Sequence, residues 1–196
     1  ALDLIGHLQT RNRGTIGGSL AHLDPAAELP AVFSAHDAVL HLASANGARE
    51  VPIGGWSQGF MAPDLEPDEL LTAIVFSPWP AGHGHAFLEL ARRHGDFALA
   101  GAAALITLDR QGRIDRAAIA LTGVDMGPVR LDAAEAMLAG QVPGAELIAA
   151  AAQCADRVAG IEDVHASRDY RRRIAVVYTR RALELASQRA ASGAGR

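Results

Sequence analysis

The segments "FALAGAAALITLD" and "IDRAAIALTGV" lie on either side of "RQGR", between Phe97 and Val124. Two long apolar runs joined by a short polar turn containing glycine are the pattern of an antiparallel hairpin. This pairing constrains the fold more than any other stretch of the chain. The residues from Ala98 to Ala104 are nearly all small, which predicts that their strand packs closely against a neighbour.

Helical patterns follow the hairpin. "DAAEAMLAG" ends on a glycine stop, "GAELIAAAAQCADRV" comes next, and "SRDYRRRIAVVYTRRALELASQRA" reads as one long helix. In that helix Tyr170, Ile174, Val177 and Tyr178 form the expected apolar stripe, with the arginines at 171–173 and 180–181 on a solvated face or against a partner. Cys154, in an Ala-rich helix, reads as a small buried apolar residue.

Ahead of the hairpin, Leu2, Ile5 and Leu8 are spaced for a short amphipathic helix ending before a Gly-rich loop. Asp24 and Pro25 read as an N-cap and first helical residue, opening a helix through Leu29 and Val32 to Ala35 that Pro30 shortens or kinks. "AVLHLAS" and "REVPI" form a hairpin around "ANG", residues 54–69 are loop-rich, and "LLTAIVFSP" is a buried strand stopped by proline. The linker "PWPAGHGHAF" places a subdomain boundary near Pro80. The order of elements predicts an α+β protein of two subdomains, not a doubly wound sheet.

Composition narrows the function classes. All 18 basic residues of the 196-residue chain are arginine, and the formal charge of −4 gives no support for nucleic-acid binding. The single cysteine excludes an internal disulfide and a cysteine-held cluster. The longest apolar run, Ala98–Leu108, is too short to span a bilayer, no signal-peptide pattern opens the chain, and the expected compartment is the cytoplasm. His83 and His85 form a His-x-His pair without a third ligand, so no metal site is expected. No nucleophile elbow with Ser, His and Asp is present, and no catalytic residue is assigned.

The run "RNRGTIGGSLAHLDPAAELPAV" carries the chemistry. Adjacent glycines at 17 and 18 leave backbone amides without flanking Cβ atoms, open to a diphosphate or the edge of a flat ring. The spacing of Gly14, Gly17 and Gly18 fits neither a Rossmann nor a Walker loop. On residue chemistry alone, a ligand loop and a plain helix–helix connection both stand.

The stretch "GHLQTRNRGTIGGSLAHLDPAAELPAV" resembles the second flavin-binding segment of the medium, FAD-binding subunit of molybdenum hydroxylases, the carbon monoxide dehydrogenase and xanthine dehydrogenase family. "REVPIGGW", "AFLELARRHGDFALAGAAALITLD" and "YRRRIAVVYTRRAL" agree with it in order and spacing. The resemblance implies a FAD-binding subdomain over residues 1–79 and a C-terminal domain of antiparallel sheet and helices over 80–190, and the small residues at the chain end predict a flexible tail over 191–196. It implies further that the chain corresponds to the C-terminal two-thirds of that subunit, the family's other flavin segment lying upstream.

By the same resemblance, Thr15, Ile16, Gly17, Gly18 and Ser19 contact FAD through backbone and hydroxyl groups, Asp24 reaches the ribityl or ring region, and His22 lies between them. Phe97 matches an aromatic position stacked beside the isoalloxazine ring, its residue-level alternative being a core strand residue. Arg93 and Asp96 form a local ion pair near the flavin edge or on the surface. The implied activity is that of an oxidoreductase subunit passing electrons from 2Fe-2S clusters through FAD to an external acceptor. The implied partners are an iron–sulfur small subunit and a molybdopterin large subunit bearing the molybdenum cofactor, assembled as a dimer of heterotrimers. A scaffold or assembly module that keeps the fold without FAD is the alternative function.

Overall fold

Glycine at position 6 divides the N-terminal apolar stretch, because its backbone is left-handed (φ +48°). In place of one helix over Leu2–Leu8, the computed structural model has a 3-10 turn at Leu2–Leu4 and a helix α1 at Leu8–Arg13, with Leu2 and Leu8 both exposed. The structure describes residues 1–193.

The Gly-rich run is not a loop. Thr15 caps a helix α2, Ile16–His22, by accepting the Gly18 N–H on its hydroxyl at 2.9 Å. Leu23, in left-handed backbone, ends that helix. Asp24 then forms an Asx turn, its Oδ1 accepting the Ala26 N–H at 2.8 Å, instead of capping a helix. Helix α3 starts later, at Glu28–Ala35, so Pro30 falls in the first turn, where its missing N–H costs no helical bond and causes no break.

Strands β1 (Val39–Ser44) and β2 (Gly47–Pro52) form the expected hairpin, which buries Leu40, Leu42 and Val51. The passage read as loop contains a small ladder of β3 (Ser57–Gly59) and β4 (Ala62–Pro63). Strand β5 (Leu70–Val75) pairs antiparallel with β1 and closes a sheet of order β2-β1-β5. The expectation of a buried strand fails here. As a sheet edge, β5 leaves Leu70, Val75 and the following Phe76 exposed. Arg49 on β2 binds Glu69 and Asp64 at 2.7 and 2.9 Å, which ties the loop ahead of β5 to the sheet. Hydrogen bonding to Arg49 pulls the Glu69 carboxyl down to about 2.

The second sheet is fully antiparallel, in the order β6 (Gly84–Ala91), β7 (Ala98–Leu108), β8 (Ile114–Thr122) and β9 (Val129–Arg130). The β7–β8 hairpin is the one read from sequence; β6 was not foreseen as a strand. Helices α4 (Asp132–Leu138), α5 (Ala145–Ala152) and the 25-residue α6 (Arg168–Ser192) cover one face. On that face Ala100, Ala102, Ala104 and Ile106 share a core with Ala175, Ala182, Leu183 and Ala186. The approach is close: a Cβ added to Gly84 would lie 1.8 Å from the Ala186 carbonyl oxygen.

This contact corrects the expected stripe of α6. Its buried residues are Arg171, Ala175, Thr179, Ala182, Leu183, Ala186 and Ser187, while Tyr170 is exposed and Ile174, Val177 and Tyr178 are half-buried. A glycine-and-alanine sheet accepts a helix with small side chains, and the larger apolar residues are turned aside. The helix runs through Ala191 and Ser192 to a left-handed Gly193 cap, and the last three residues of the expected tail lie outside the described residues.

Helix α3 joins the two sheets, with seven of its eight residues buried. Leu29 and Phe33 enter the first core with Trp56, while Ala31 and Ala35 pack with Trp79, Ala103, Leu105, Ala118 and Ala120 against the other face of the second sheet. Asp37, just past α3, pairs with Arg116 and Arg130 at 2.8 Å each, and Arg130 also pairs with Glu135.

Candidate functional site

The start of α2 lies at the surface. Thr15, Ile16 and Gly18 are exposed, and Gly17 and Ser19 are half-buried. Of the first amides, that of Gly18 is taken by Thr15 and that of Ser19 bonds the Thr15 carbonyl at 3.1 Å. The N–H groups of Ile16 and Gly17 have no acceptor among the described residues, so the free pair is Ile16 and Gly17, not the two glycines. A Cβ at Gly17 would meet only Leu71 Cδ2, at 3.9 Å, and the space beyond its bare Cα is otherwise open. Thr15 keeps a hydroxyl hydrogen to donate.

Trp56 holds this helix from behind. Its ring is fully buried, and its Nε1–H donates to the Leu20 carbonyl at 2.8 Å. The "IGGW" turn thereby fixes the direction in which the free amides point.

At the other end of α2, about 10 Å away for seven residues, His22 is exposed and Asp24 lines a cavity of about 250 Å³. One wall of the cavity is the Asp24–Ala26 turn, a second is Phe97, Ala98 and Leu99, and a third is Ile161, Asp163 and His165. Phe60, Gly123 and Arg171 complete it. Two residues singled out by sequence, Asp24 and Phe97, thus share a cavity, with Thr15–Ser19 a helix length away. Phe97 precedes β7 and is 72% exposed, so it is no core strand residue. Near it, Arg92 and not Arg93 approaches Asp96, at 3.9 Å.

Arg171, absent from the sequence-derived site, is 4% exposed. Its Nη1 donates to the carbonyls of Leu99 and Gly123 at 2.7 and 2.9 Å, and its Nη2 to Asp163 Oδ2 at 2.7 Å. Burial raises the Asp163 carboxyl, but the His165 amide, Arg171 and the Ala166 amide outweigh it and hold the group below its ordinary value. The Gly123 N–H donates to the Pro25 carbonyl at 2.8 Å, and Thr122 Oγ1 lies 3.0 and 2.7 Å from the carbonyls of Pro25 and Ala27. Only the packed structure assembles this set; Phe60, Asp163 and Arg171 carry no local signal of it.

Two further carboxyls, Glu28 and Glu89, do not line the cavity. Glu28 is buried at the start of α3, and Glu89 on β6 is paired in register with Gly101. Burial, with Glu28 nearby, pushes Glu89 up to about 7, and its Oε2 has no hydrogen-bond partner among the described residues. His83 and His85 are neighbours with ring centroids 5.6 Å apart, and among the described residues no group of three or more His, Cys, Asp or Glu could hold a metal ion. Among those residues no helix is long and apolar enough to cross a membrane.

Comparison with known proteins agrees along the chain. Residues 85–186 match the family model for the CO dehydrogenase flavoprotein C-terminal domain, and residues 1–79 match that for the FAD binding domain in molybdopterin dehydrogenase. The 6-hydroxypseudooxynicotine dehydrogenase complex subunit alpha of Paenarthrobacter nicotinovorans is 41% identical, covering 95% of this chain and 63% of its own length. The carbon monoxide dehydrogenase medium chain of Afipia carboxidovorans is 37% identical, covering 95% and 65%. Among solved structures, carbon monoxide dehydrogenase from Hydrogenophaga pseudoflava superimposes with a TM-score of 0.91 at 38% identity, over 95% of this chain and 65% of that one. Quinoline 2-oxidoreductase from Pseudomonas putida 86 gives a TM-score of 0.87 at 36% identity, with the same coverage. The chain thus spans a little under two thirds of the length of these relatives. It belongs to the FAD-binding medium-subunit family of molybdenum hydroxylases, the carbon monoxide dehydrogenase and xanthine dehydrogenase group.

Proposed function

We propose that this chain holds FAD across α2 as part of an electron-transferring subunit of a molybdenum hydroxylase. One observation carries the reading: free amides beside a bare Cα at Ile16 and Gly17, one helix length from a cavity walled by Asp24 and Phe97. The donor set suits the cofactor. Unpaired N–H groups and the Thr15 hydroxyl suit an anionic diphosphate, and an exposed aromatic face suits a flat ring.

Each residue then has a role. Ile16 and Gly17 donate backbone hydrogen bonds, Thr15 and Ser19 add hydroxyl contacts, and Gly18 keeps the helix start free of side chains. Asp24 accepts hydrogen bonds from the ribityl or ring region, since its Oδ2 has no partner among the described residues while Oδ1 holds Ala26. His22 lies on the exposed path between them, and Phe97 covers one side of the ring and excludes water. When bound, FAD would supply the redox chemistry for moving electrons from iron–sulfur clusters to an external acceptor. The residues of this chain bind, orient and shield it.

In this reading residues 1–79 form the C-terminal part of the FAD-binding domain and residues 80–190 a C-terminal domain. The partners are an iron–sulfur small subunit and a molybdopterin large subunit carrying the molybdenum cofactor, in a dimer of heterotrimers in the cytoplasm. Titrating the full-length gene product with FAD tests the reading. Quenched flavin fluorescence and a perturbed visible spectrum are expected, both lost on Gly17→Val. Uptake unchanged by that substitution defeats the site, and no uptake by the wild type leaves the scaffold role.

A further inference from the structure

The walls of the cavity come from distant parts of the chain and meet at one side chain. Phe97 precedes β7 by one residue, and Leu99, two residues on, gives its carbonyl to Arg171. Asp24 sits on the turn whose Pro25 carbonyl is held by Gly123, and Gly123 gives its own carbonyl to the same guanidinium. The third wall is held through Asp163, which binds Arg171 by Oδ2 and the amides of His165 and Ala166 by Oδ1, at 2.9 and 3.0 Å. Phe97 is largely exposed, so packing does little to fix its distance from Asp24.

We infer that Arg171 is a positioning residue for the flavin ring, setting the gap between Asp24 and Phe97 by gripping Leu99, Gly123 and Asp163 at once. This rests on the proposed function. The planar fork suits the task, because it reaches two carbonyls and a carboxylate in fixed directions; a lysine ammonium has the charge without that geometry. The Arg171 Nε–H is buried without an acceptor among the described residues. A buried arginine kept with its Nε–H unmet beside the cavity is better accounted for by placement of the walls than by fold stability alone.

The test uses the full-length gene product, with Arg171→Met, Arg171→Lys and Asp163→Asn set beside Ser167→Ala. Ser167 caps α6 by accepting the Tyr170 N–H and does not line the cavity, so its loss loosens the same helix end without touching the clamp. Arg171→Met and Arg171→Lys are expected to raise the FAD dissociation constant about tenfold or more. They should also brighten the fluorescence and shift the visible spectrum of the flavin that remains bound. Asp163→Asn should shift the spectrum in the same direction by less, and Ser167→Ala should lower only the thermal midpoint. If Arg171→Met does not fold, Arg171→Lys and Asp163→Asn carry the comparison. Arg171 variants with wild-type affinity and spectrum and only a lowered midpoint overturn the inference while leaving the FAD reading intact. A wild type that takes up no FAD overturns both.

Discussion

Gly17→Ala separates what the fold needs from what the site needs. Gly17 is the second residue of α2 and has helical backbone, so alanine fits its conformation. The added methyl would meet only Leu71 Cδ2, at 3.9 Å, an ordinary van der Waals distance. Glycine costs about 0.8–1 kcal/mol relative to alanine in a helix interior and less in the first turn. The variant should therefore stabilise the protein by about 0.5 kcal/mol, a rise of one or two degrees at about 2–4 °C per kcal/mol for a chain of this size. The same methyl stands where a diphosphate would lie against bare backbone. Forcing a methyl into a close contact costs about 1–3 kcal/mol, so FAD affinity should fall about fivefold to 150-fold. Thermal melts of the FAD-free protein and fluorescence titrations with FAD read the two effects separately. Opposite signs are the expected outcome. A variant that binds FAD as tightly as the wild type refutes the argument that Gly17 is bare for a ligand.

Gly84→Ala should be strongly destabilising, because its methyl points into the Ala186 carbonyl; a loss of about 1–3 kcal/mol or more, seen as a lowered melting midpoint, is expected. Trp56→Phe leaves the Leu20 carbonyl without its buried donor and should cost about 1–3 kcal/mol in a denaturant titration while also weakening FAD binding through α2. Glu89 sets a pH dependence: its carboxyl stays protonated in the folded state up to about 7 but ionises from about 4.5 when unfolded. The unfolded chain therefore binds fewer protons in that window, and stability falls as pH rises through it and levels off above. Glu89→Gln should reduce that slope, leaving the contribution in the same direction from Glu28, whose carboxyl burial also raises.

The β7–β8 hairpin was legible because two apolar runs and a turn signal are local properties, and the first hairpin was legible for the same reason. The buried face of α6 was not. Hydrophobicity favours Ile174, Val177 and Tyr178, but the Gly84 contact demands small residues, and Arg171 is buried by hydrogen bonds that no helical periodicity encodes. Two adjacent glycines argue for a loop at Thr15, and the cap that makes it a helix start is a bond whose acceptor and donor only the folded backbone brings together. The exposed β5 was misread because an edge strand and a central one differ in neighbours, not in composition. At the site, the family resemblance singled out Asp24 and Phe97, which the fold brings to one cavity. Phe60, Asp163 and Arg171 reach it from sequence-distant elements and were not foreseen.

A crystal structure of the full-length gene product with FAD bound would be decisive. The diphosphate should lie within hydrogen-bonding distance of the Ile16 and Gly17 amides, with the ring system between Asp24 and Phe97. Flavin found elsewhere on the protein, with those amides and Phe97 still facing solvent, would contradict the assignment of the site to α2.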